Sequence, residues 1–392
     1  MKYRTLKDFD FSNKEVLVRA DFNVPVDEKG RITDDKRIRA SLPTIKYLIK
    51  KKAMVILISH LGNPKKIEQR FRMDNVAKRL SRLLGKNVAK LDDCIGSDVD
   101  DFIDEMVPGE VVLLENPRFY KGEKANGYEF AKSLADLAEY YVNDAFGSCH
   151  RPHATVVGVP AFIPGCAGFL VEKEIAKMGK VLAKPKKPLA VVIGGLKVSA
   201  KIDFIKNLLK KADKLLIGGA MMFTFLKAKG INVGKSIVEK GKISTAKKLL
   251  KSKKIILPVD CVVGDKFDKN AKAKAVDVKD IKGIGLDIGP KTAKVYSEII
   301  KKSNTVIWNG TMGVFEWKKF TKGTAAIAKA MAKSKAETIV GGGDSAAAVE
   351  KLRLEKKMTH VSTGGGASLN FFSGKKLSGI VALEKNYKKF RK

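Results

Sequence analysis

Four glycine clusters in the second half of this 392-residue chain each follow a short apolar run, and turns of this kind suit phosphate groups. Glycine lets backbone amides approach an anion, and the dipole of the following helix adds attraction. One such turn is more often an ordinary strand-to-helix hinge, but four in one region favour a phosphate ligand. The clusters are Gly194-Gly195, Gly218-Gly219, Gly341-Gly342-Gly343 and Gly364-Gly365-Gly366.

Charged residues follow two of these clusters. Lys197 and Lys201 are four residues apart, so we expect them to share one face of a first helical turn, where the helix dipole disfavours cations. A bound anion would offset that cost. Asp344 precedes an alanine-rich helix start and is either its N-cap or a ligand of phosphate-bound Mg²⁺. The segment 230–236 resembles a P-loop, but it is one residue short and follows a predicted helix, so we do not assign it.

The first half carries a different set of polar residues. Asp21 and Asn23 follow one apolar run, and His60 ends the next. Three arginines come from separate segments, and their guanidinium forks would suit phosphate and carboxylate if they converged. These arginines are Arg37, Arg118 and Arg151.

Short apolar runs alternate with helical patterns along the whole chain. This alternation predicts an α/β protein with two doubly wound, parallel-sheet domains. Runs without polar alternation, such as Met54–Ile58, indicate strands that are buried on both faces. The ten predicted strands are 16–19, 54–59, 111–114, 140–142, 190–193, 214–217, 255–258, 305–308, 338–340 and 360–362. Predicted helices include 36–52, 171–181, 201–211 and 221–229.

A boundary is predicted at residues 171–189, which read as a connecting helix stopped by the prolines of Lys184-Pro-Lys-Lys-Pro188. The net charge per residue also rises at this boundary. The net charge of the chain is +35, of which residues 1–170 contribute +4 and residues 171–392 contribute +31. A basic surface concentrates anions such as nucleotides, phosphorylated metabolites or nucleic acid, but scattered lysines are usually a solvated face.

Several classes of protein are excluded by composition. No window approaches 18 uncharged apolar residues, so we expect no transmembrane helix. The first ten residues contain charges and no apolar run, so we expect no secretory signal and a cytoplasmic location. Four widely spaced cysteines argue against a disulfide framework.

Taken together, nine segments closely resemble the phosphoglycerate kinase family, in the family's order and over essentially the whole chain. The segments are Val18-Arg-Ala-Asp-Phe-Asn-Val-Pro25, Ile58-Ser-His-Leu-Gly62, Leu114-Glu-Asn-Pro-Arg-Phe119, Asn143-Asp-Ala-Phe-Gly-Ser-Cys-His-Arg151, Gly194-Gly-Leu-Lys-Val-Ser199, Leu286-Asp-Ile-Gly-Pro-Lys-Thr292, Trp308-Asn-Gly-Thr-Met-Gly-Val-Phe-Glu-Trp317, Gly341-Gly-Gly-Asp-Ser345 and Ser362-Thr-Gly-Gly-Gly-Ala-Ser368.

The resemblance implies a hinge-closing kinase that transfers a phosphoryl group reversibly between 1,3-bisphosphoglycerate and MgADP, giving 3-phosphoglycerate and MgATP, without a covalent enzyme intermediate. It implies a phosphoglycerate-binding domain over 1–170, a connecting helix and hinge over 171–189, a nucleotide-binding domain over 190–379, and a segment over 380–392 that returns to the first domain. Its partners would be these small molecules rather than membranes or nucleic acid, and we expect a monomer.

The same resemblance assigns residues to each ligand. The acid substrate would contact Asp21, Phe22, Asn23, Arg37, His60, Leu61, Gly62, Asn63, Arg118 and Arg151. The nucleotide would contact Gly195, Lys197, Lys201, Gly218, Gly219, Asn309, Glu316, Gly342, Gly343, Asp344 and Ser345, with Glu316 on the ribose hydroxyls and Asp344 on Mg²⁺. Because this chemistry needs positioning and cations rather than a protein nucleophile, catalysis would rest on Arg37, Lys197, Gly365 and Gly366.

Three positions depart from the family pattern. The family usually has Arg at Asn63, Ala at Leu196 and Pro at Thr311. Leu196 and Thr311 bear on the shape of the nucleotide pocket, whereas Asn63 removes a charge from the acid site.

Two alternatives remain at this stage. A different small-molecule kinase of the same plan would keep Lys197, Asp344 and the glycine turns without needing the arginines of the first half. A non-enzymatic nucleic-acid binder would use the lysine surplus instead.

Overall fold

The computed structural model describes residues 2–391, which form two compact units. The first unit contains the chain up to Ala176 together with the chain from Lys376 onward, and the second contains Lys177–Lys375. The end of the chain therefore belongs to the same unit as its beginning.

The strands are mostly short, buried and apolar, as strands covered on both faces must be. In chain order they are β1 (Glu15–Ala20), β2 (Met54–Ile58), β3 (Ala89–Lys90), β4 (Val111–Leu113), β5 (Tyr140–Asp144), β6 (Gly165–Ala167), β7 (Leu189–Ile193), β8 (Lys214–Ile217), β9 (Ile255–Ile256), β10 (Asp260–Gly264), β11 (Ala273–Asp277), β12 (Ile284–Ile288), β13 (Thr305–Asn309), β14 (Glu337–Gly341) and β15 (His360–Val361).

Helices alternate with these strands, as expected. In chain order they are α1 (Lys36–Lys50), α2 (Asp74–Leu84), α3 (Ser97–Asp104), α4 (Lys121–Ala125), α5 (Tyr128–Asp136), α6 (Phe169–Ala183), α7 (Ile202–Leu209), α8 (Met221–Ala228), α9 (Ile243–Leu249), α10 (Pro290–Lys301), α11 (Lys322–Lys333), α12 (Gly343–Lys351), α13 (Gly365–Phe372) and α14 (Ser378–Lys389). No helix within residues 2–391 has the length and apolar character needed to cross a bilayer.

The first unit is built on one parallel six-stranded sheet of order β3-β4-β2-β1-β5-β6. Its central strands are buried along nearly their whole length, and every residue of β2 is buried. Arg19 of β1 differs from its neighbours in the strand, because its charged side chain is fully buried among apolar residues. The carboxyl ends of β1, β2 and β5 lie side by side, and the loops that follow them form one edge of the sheet.

The second unit contains a parallel six-stranded sheet of order β15-β14-β13-β7-β8-β9 and a separate antiparallel sheet of order β11-β10-β12. All ten predicted strands are present with ends shifted by at most two residues, so the predicted parallel α/β plan is confirmed. The antiparallel sheet was not predicted. Its strand β11 is mostly exposed and has Lys274 and Asp277 among its five residues, and therefore lacks the apolar signal of a buried strand.

The predicted connecting helix is present as α6, which is two residues longer at each end than expected. It ends at Ala183, directly before the Lys-Pro segment that was expected to stop it. The boundary between the two units falls within this helix.

Candidate active site

In the first unit, the loops after β1 and β2 are tied to each other and to α1. Arg37 Nη1 donates to the two carboxylate oxygens of Asp21 at 3.0 and 3.1 Å. The amide of Gly62 donates to Asn23 Oδ1 at 2.8 Å. Polar residues from three segments therefore meet at the carboxyl edge of this sheet.

Arg118 is the residue of this cluster whose surroundings best suit an anion. Its side chain is buried, Nη1 donates to the carbonyl of Gly62, and neither Nε nor Nη2 has a partner among the described residues. Burial, followed by the charges of Arg151 and Arg19, lowers the pKa of Arg118 to about 10. An unpaired buried charge is costly, and an anionic ligand would offset that cost.

His60 lies among the same arginines. It is almost fully buried, and its Nδ1 accepts a hydrogen bond from Arg19 Nη2 at 2.9 Å. Burial, and then the charges of the surrounding arginines, keep the pKa of His60 well below its usual range. These arginines are Arg19, Arg118, Arg151 and Arg37. The expected convergence of separate arginines therefore occurs.

The remaining predicted residues of this set differ in exposure. Phe22 and Leu61 are buried, and the amide of Phe22 donates to Ser59 Oγ at 2.7 Å, so these two side chains anchor the loops in the core. Asn63 is exposed next to Gly62. Arg151 is exposed, and its Nε donates to His150 Nε2 at 3.4 Å.

Sequence reasoning missed a buried network behind His60. Arg19 Nε donates to Thr155 Oγ1 at 2.8 Å, and Thr155 in turn donates to Glu123. Arg19 could have been found, because an arginine inside the apolar run of a central strand is unusual. Thr155 and Glu123 carry no signal in the sequence.

In the second unit, a cavity of about 200 Å³ opens beyond the carboxyl ends of β7, β8 and β13. Several predicted nucleotide residues line it, together with the departures Leu196 and Thr311. The lining residues from the predicted set are Gly195, Gly219, Glu316 and Asp344. Ligands of open α/β sheets bind at this edge.

The first two glycine clusters do not offer free amides. The amides of Gly195 and Gly219 donate to the carbonyls of Thr311 and Met312, respectively, both at 3.0 Å. The amide of Gly218 donates to the carbonyl of Ile193 at 2.7 Å. The expectation that these amides bind phosphate is therefore wrong. Glycine is needed because the loops pack backbone against backbone, and a side chain at Gly219, where φ is +62°, would collide with Gly195.

The predicted pairing of Lys197 with Lys201 on one helical face is also wrong. Regular helix begins only at Ile202, after a single 3₁₀ turn over Ser199–Lys201. Lys197 lies before that turn and is exposed. Lys201 Nζ instead donates to the carbonyls of Gly194 and Asn309 at 2.8 and 3.1 Å, and burial lowers the pKa of Lys201 to about 8, although Asp344 opposes this shift.

The third glycine cluster is arranged as a helix N-terminus. Gly342, with φ at +96°, is the N-cap of α12, so Asp344 is not the cap but lies exposed in the first turn. Ser345 Oγ donates to the carbonyl of Gly341 and accepts from the amide of Gly310, which joins α12 to β13. Asn309 Nδ2 is buried without a hydrogen-bond partner among the described residues. First-turn amides and an unpaired amide donor suit phosphate oxygens.

The fourth cluster begins α13. Gly364 is its N-cap, and the amide of Gly364 donates to Ser362 Oγ at 3.1 Å, so it is not available to a ligand. Gly365 and Gly366 lie in the first turn, where amides have no partner within the helix.

The rim of the cavity is apolar. Leu196, Ile237 and Phe267 all line it, and each is more than half exposed. Ile237 and Phe267 were missed in the sequence, where they stand among polar residues without a recognisable pattern. In the part of the chain that the structure describes, no three His, Cys, Asp or Glu side chains are grouped to hold a metal ion.

Comparisons with known proteins all point to the same family. The family model described as phosphoglycerate kinase matches residues 6–375. A phosphoglycerate kinase of Trichodesmium erythraeum is 55% identical over 390 residues, covering 97% of this chain and 98% of that protein. One of Dictyoglomus turgidum is 54% identical over 387 residues, covering 97% and 98%. The solved structure of phosphoglycerate kinase from Coxiella burnetii superposes with a TM-score of 0.87 at 40% identity, covering 98% of this chain and 99% of that one.

Proposed function

Because the chain belongs to the phosphoglycerate kinase family, we propose that its two units bind the two substrates of that reaction separately. The family's enzymes transfer a phosphoryl group between 1,3-bisphosphoglycerate and ADP, giving 3-phosphoglycerate and ATP, and this chain is such a kinase. The first unit would hold the three-carbon acid and the second the nucleotide.

The observation that carries the acid site is the guanidinium of Arg118, whose Nε and Nη2 have no partner among the described residues. The acid brings a phosphate and a carboxyl group, and Arg118 offers two buried donors that lack partners among the described residues. Arg37, Arg151 and His60 add further donors around it. Asp21 and Asn23 hold Arg37 and Gly62 in place, and Asp21 also offers an acceptor for a substrate hydroxyl.

The nucleotide site is supported by the cavity of the second unit. Its apolar rim of Leu196, Ile237 and Phe267 suits the flat face of a base, since exposed apolar side chains gathered at one cleft mark a binding surface. Glu316 lines the same cavity with a carboxylate suited to ribose hydroxyls. The first turns of α12 and α13 would face the phosphates.

Mg²⁺ fits this site as a companion of the nucleotide rather than as a resident metal. Mg²⁺ usually takes one or two carboxylates and completes its shell with substrate phosphates and water. Asp344 is exposed at the cavity and supplies such a carboxylate. Bound there, the ion would neutralise charge on the phosphates.

The residues of this chain would act by positioning and by electrostatics. Lys197 and Arg37 would provide positive charge, and the amides of Gly365 and Gly366 would donate hydrogen bonds to the moving phosphoryl group. In-line transfer requires the two substrates to meet, so we also propose that the segment 171–189 between the two ligand sets is the hinge.

We also infer a cytoplasmic enzyme of glycolysis and gluconeogenesis. Four cysteines are free and buried in the structure, which suits a reducing compartment. Both substrates are small anions, and the lysine-rich second unit would attract the triphosphate.

Replacing Arg118 with Met tests the assignment of the acid site. A sheltered charge-assisted hydrogen bond contributes about 1.5–3 kcal/mol, so Arg118→Met should raise the KM for 3-phosphoglycerate by roughly ten- to a hundredfold. The KM for MgATP should change less than twofold. Arg82→Met, at an exposed arginine of α2, is the matched control and should change neither. Equal effects on both KM values would overturn the assignment of Arg118 to the acid.

A further inference from the structure

His60 sits at one end of a buried hydrogen-bond chain whose direction is fixed by the chemistry of its members. From the far end, the chain runs Glu123, Thr155, Arg19 and His60, and all four side chains are at most 3% exposed. None of the first three was assigned a role above.

The direction follows from which groups can donate. A guanidinium has only donors, and a carboxylate has only acceptors. The Thr155 hydroxyl has one proton, which it gives to Glu123 Oε1 at 2.7 Å, and it therefore accepts from Arg19 Nε at 2.8 Å. The amide of Thr155 donates to the second carboxylate oxygen of Glu123 at 2.9 Å, which leaves that carboxylate no freedom to turn.

The same reasoning reaches the histidine. Arg19 Nη2 is 2.9 Å from His60 Nδ1 and can only donate, so Nδ1 must be the unprotonated nitrogen. The ring proton is then on Nε2. A ring held in this way can donate from Nε2 but cannot accept there.

The ring also stays neutral. Arg19, Arg118, Arg151 and Arg37 surround it with positive charge, and burial together with these charges holds the pKa of His60 well below its usual range. Glu123 at the far end is ionised. Burial alone would raise the pKa of Glu123, but His153, Arg19 and Thr155 lower it overall.

We propose that Glu123, Thr155 and Arg19 are positioning residues that lock His60 in its Nε2–H tautomer, so that it is a fixed, uncharged donor to an oxygen of the acid substrate. This proposal rests on the proposed acid site. A neutral donor adds directional recognition among four guanidiniums without adding a further buried charge, which would be costly.

Nitrogen NMR of the histidine rings tests the tautomer without reference to activity. The chain has four histidines, and the His60→Gln variant identifies the signal of His60 by its loss. At pH 7.5 we expect Nε2 of His60 to be protonated and Nδ1 to be unprotonated, with and without 3-phosphoglycerate. A protonated Nδ1 would overturn the proposal even if the enzyme used 3-phosphoglycerate normally.

Two substitutions of Thr155 test the hydrogen-bond network behind the His60 ring. Thr155→Val removes the hydroxyl that anchors Arg19, and we expect mixed tautomer signals for His60 and a five- to twentyfold higher KM for 3-phosphoglycerate. The KM for MgATP should stay within twofold. Thr155→Ser keeps the hydroxyl and should restore both the single tautomer and the KM.

Thr44→Val is the matched control. Thr44 is another fully buried threonine of the first unit, and its Oγ1 accepts from the amide of Phe169 rather than from Arg19. Loss of the Thr44 hydroxyl should lower the free energy of unfolding without changing the NMR signals of His60 or the KM for 3-phosphoglycerate. If Thr155→Val behaves like Thr44→Val in folded protein, the positioning role is wrong. If wild-type enzyme shows no use of 3-phosphoglycerate, the proposed acid site fails instead, whatever the tautomer.

Discussion

At the scale of single residues, the two candidate sites use positive charge in different ways. In the acid site, Arg19 and Arg118 are less than a tenth exposed, whereas Arg37 is half-buried and Arg151 is exposed. In the nucleotide site Lys201 is committed to backbone carbonyls, whereas Lys197 is exposed and free to follow a moving group. This difference separates the roles that we expect of the two lysines.

Lys197→Ala should lower kcat rather than weaken nucleotide binding. In the role that we propose for it, the exposed ammonium would meet charge that develops on the transferring phosphoryl group, and removing such a donor costs about 10²–10³ in kcat. The KM for MgATP should change little. Steady-state kinetics at saturating 3-phosphoglycerate measures both, and a near-normal kcat with a much higher KM would reassign Lys197 to ground-state binding.

Asn63→Arg should lower the KM for 3-phosphoglycerate several-fold. Asn63 is exposed next to Gly62, whose carbonyl accepts from Arg118, so an arginine there would stand at the rim of the acid site. The exposed Lys65 and Lys66 supply part of the same field as point charges, and replacing both with Ala should raise this KM.

Both effects should be largest at low ionic strength, because salt screens exposed charges. If neither change moves the KM for 3-phosphoglycerate in low salt, residue 63 lies outside the reach of the acid.

At the scale of elements, both sites are assembled from the loops that follow parallel strands, and these loops are where sequence reasoning was both strongest and weakest. The apolar runs located β1, β2, β7 and β13, and the polar residues after them were correctly placed at the sheet edges. The direction in which each side chain points could not be predicted from the sequence, because it depends on tertiary contacts. Lys201 is an example, because its ammonium donates to two backbone carbonyls that the sequence did not indicate as partners.

Asp144 at the end of β5 is expected to make the free energy of unfolding depend on pH. Its Oδ1 accepts from the amide of Leu170 in the first turn of α6 at 2.9 Å, while Oδ2 is buried without a partner among the described residues. Burial raises the pKa of Asp144 to about 8, against the opposing hydrogen bonds from Leu170 and Thr44.

A folded-state pKa above the unfolded value means that the native state binds the proton more tightly. The free energy of unfolding should therefore fall as pH rises from about 4 to about 8, by roughly 1.4 kcal/mol per pH unit at most. Asp144→Asn keeps the oxygen acceptor but does not titrate, so its stability relative to wild type should be greater at pH 9 than at pH 5.

Urea unfolding at the two pH values measures this difference. Asp101→Asn, at an exposed carboxylate of α3, is the control and should follow the wild type at both. An Asp144→Asn variant with the same pH dependence as wild type would show that Asp144 is ionised throughout this range.

At the scale of the whole molecule, the asymmetry of charge matches the division of ligands. The nearly balanced first half holds the buried arginines that we propose for a small acid, and the strongly basic second half contains the cavity that we propose for the nucleotide. The composition alone did not distinguish a nucleotide from a nucleic acid, because both are attracted by lysine. The resemblance of nine segments, in order, to one kinase family favoured the nucleotide, since members of that family bind a small acid and a nucleotide.

A coupled assay of ADP formation from MgATP tests the central claim most directly. We expect ADP formation that depends on 3-phosphoglycerate, saturates with it, and needs a higher 3-phosphoglycerate concentration in the Arg118→Met variant. Nucleotide turnover with another small acceptor but not with 3-phosphoglycerate would indicate a different kinase of this plan. No turnover with any acceptor by folded protein would contradict the account altogether.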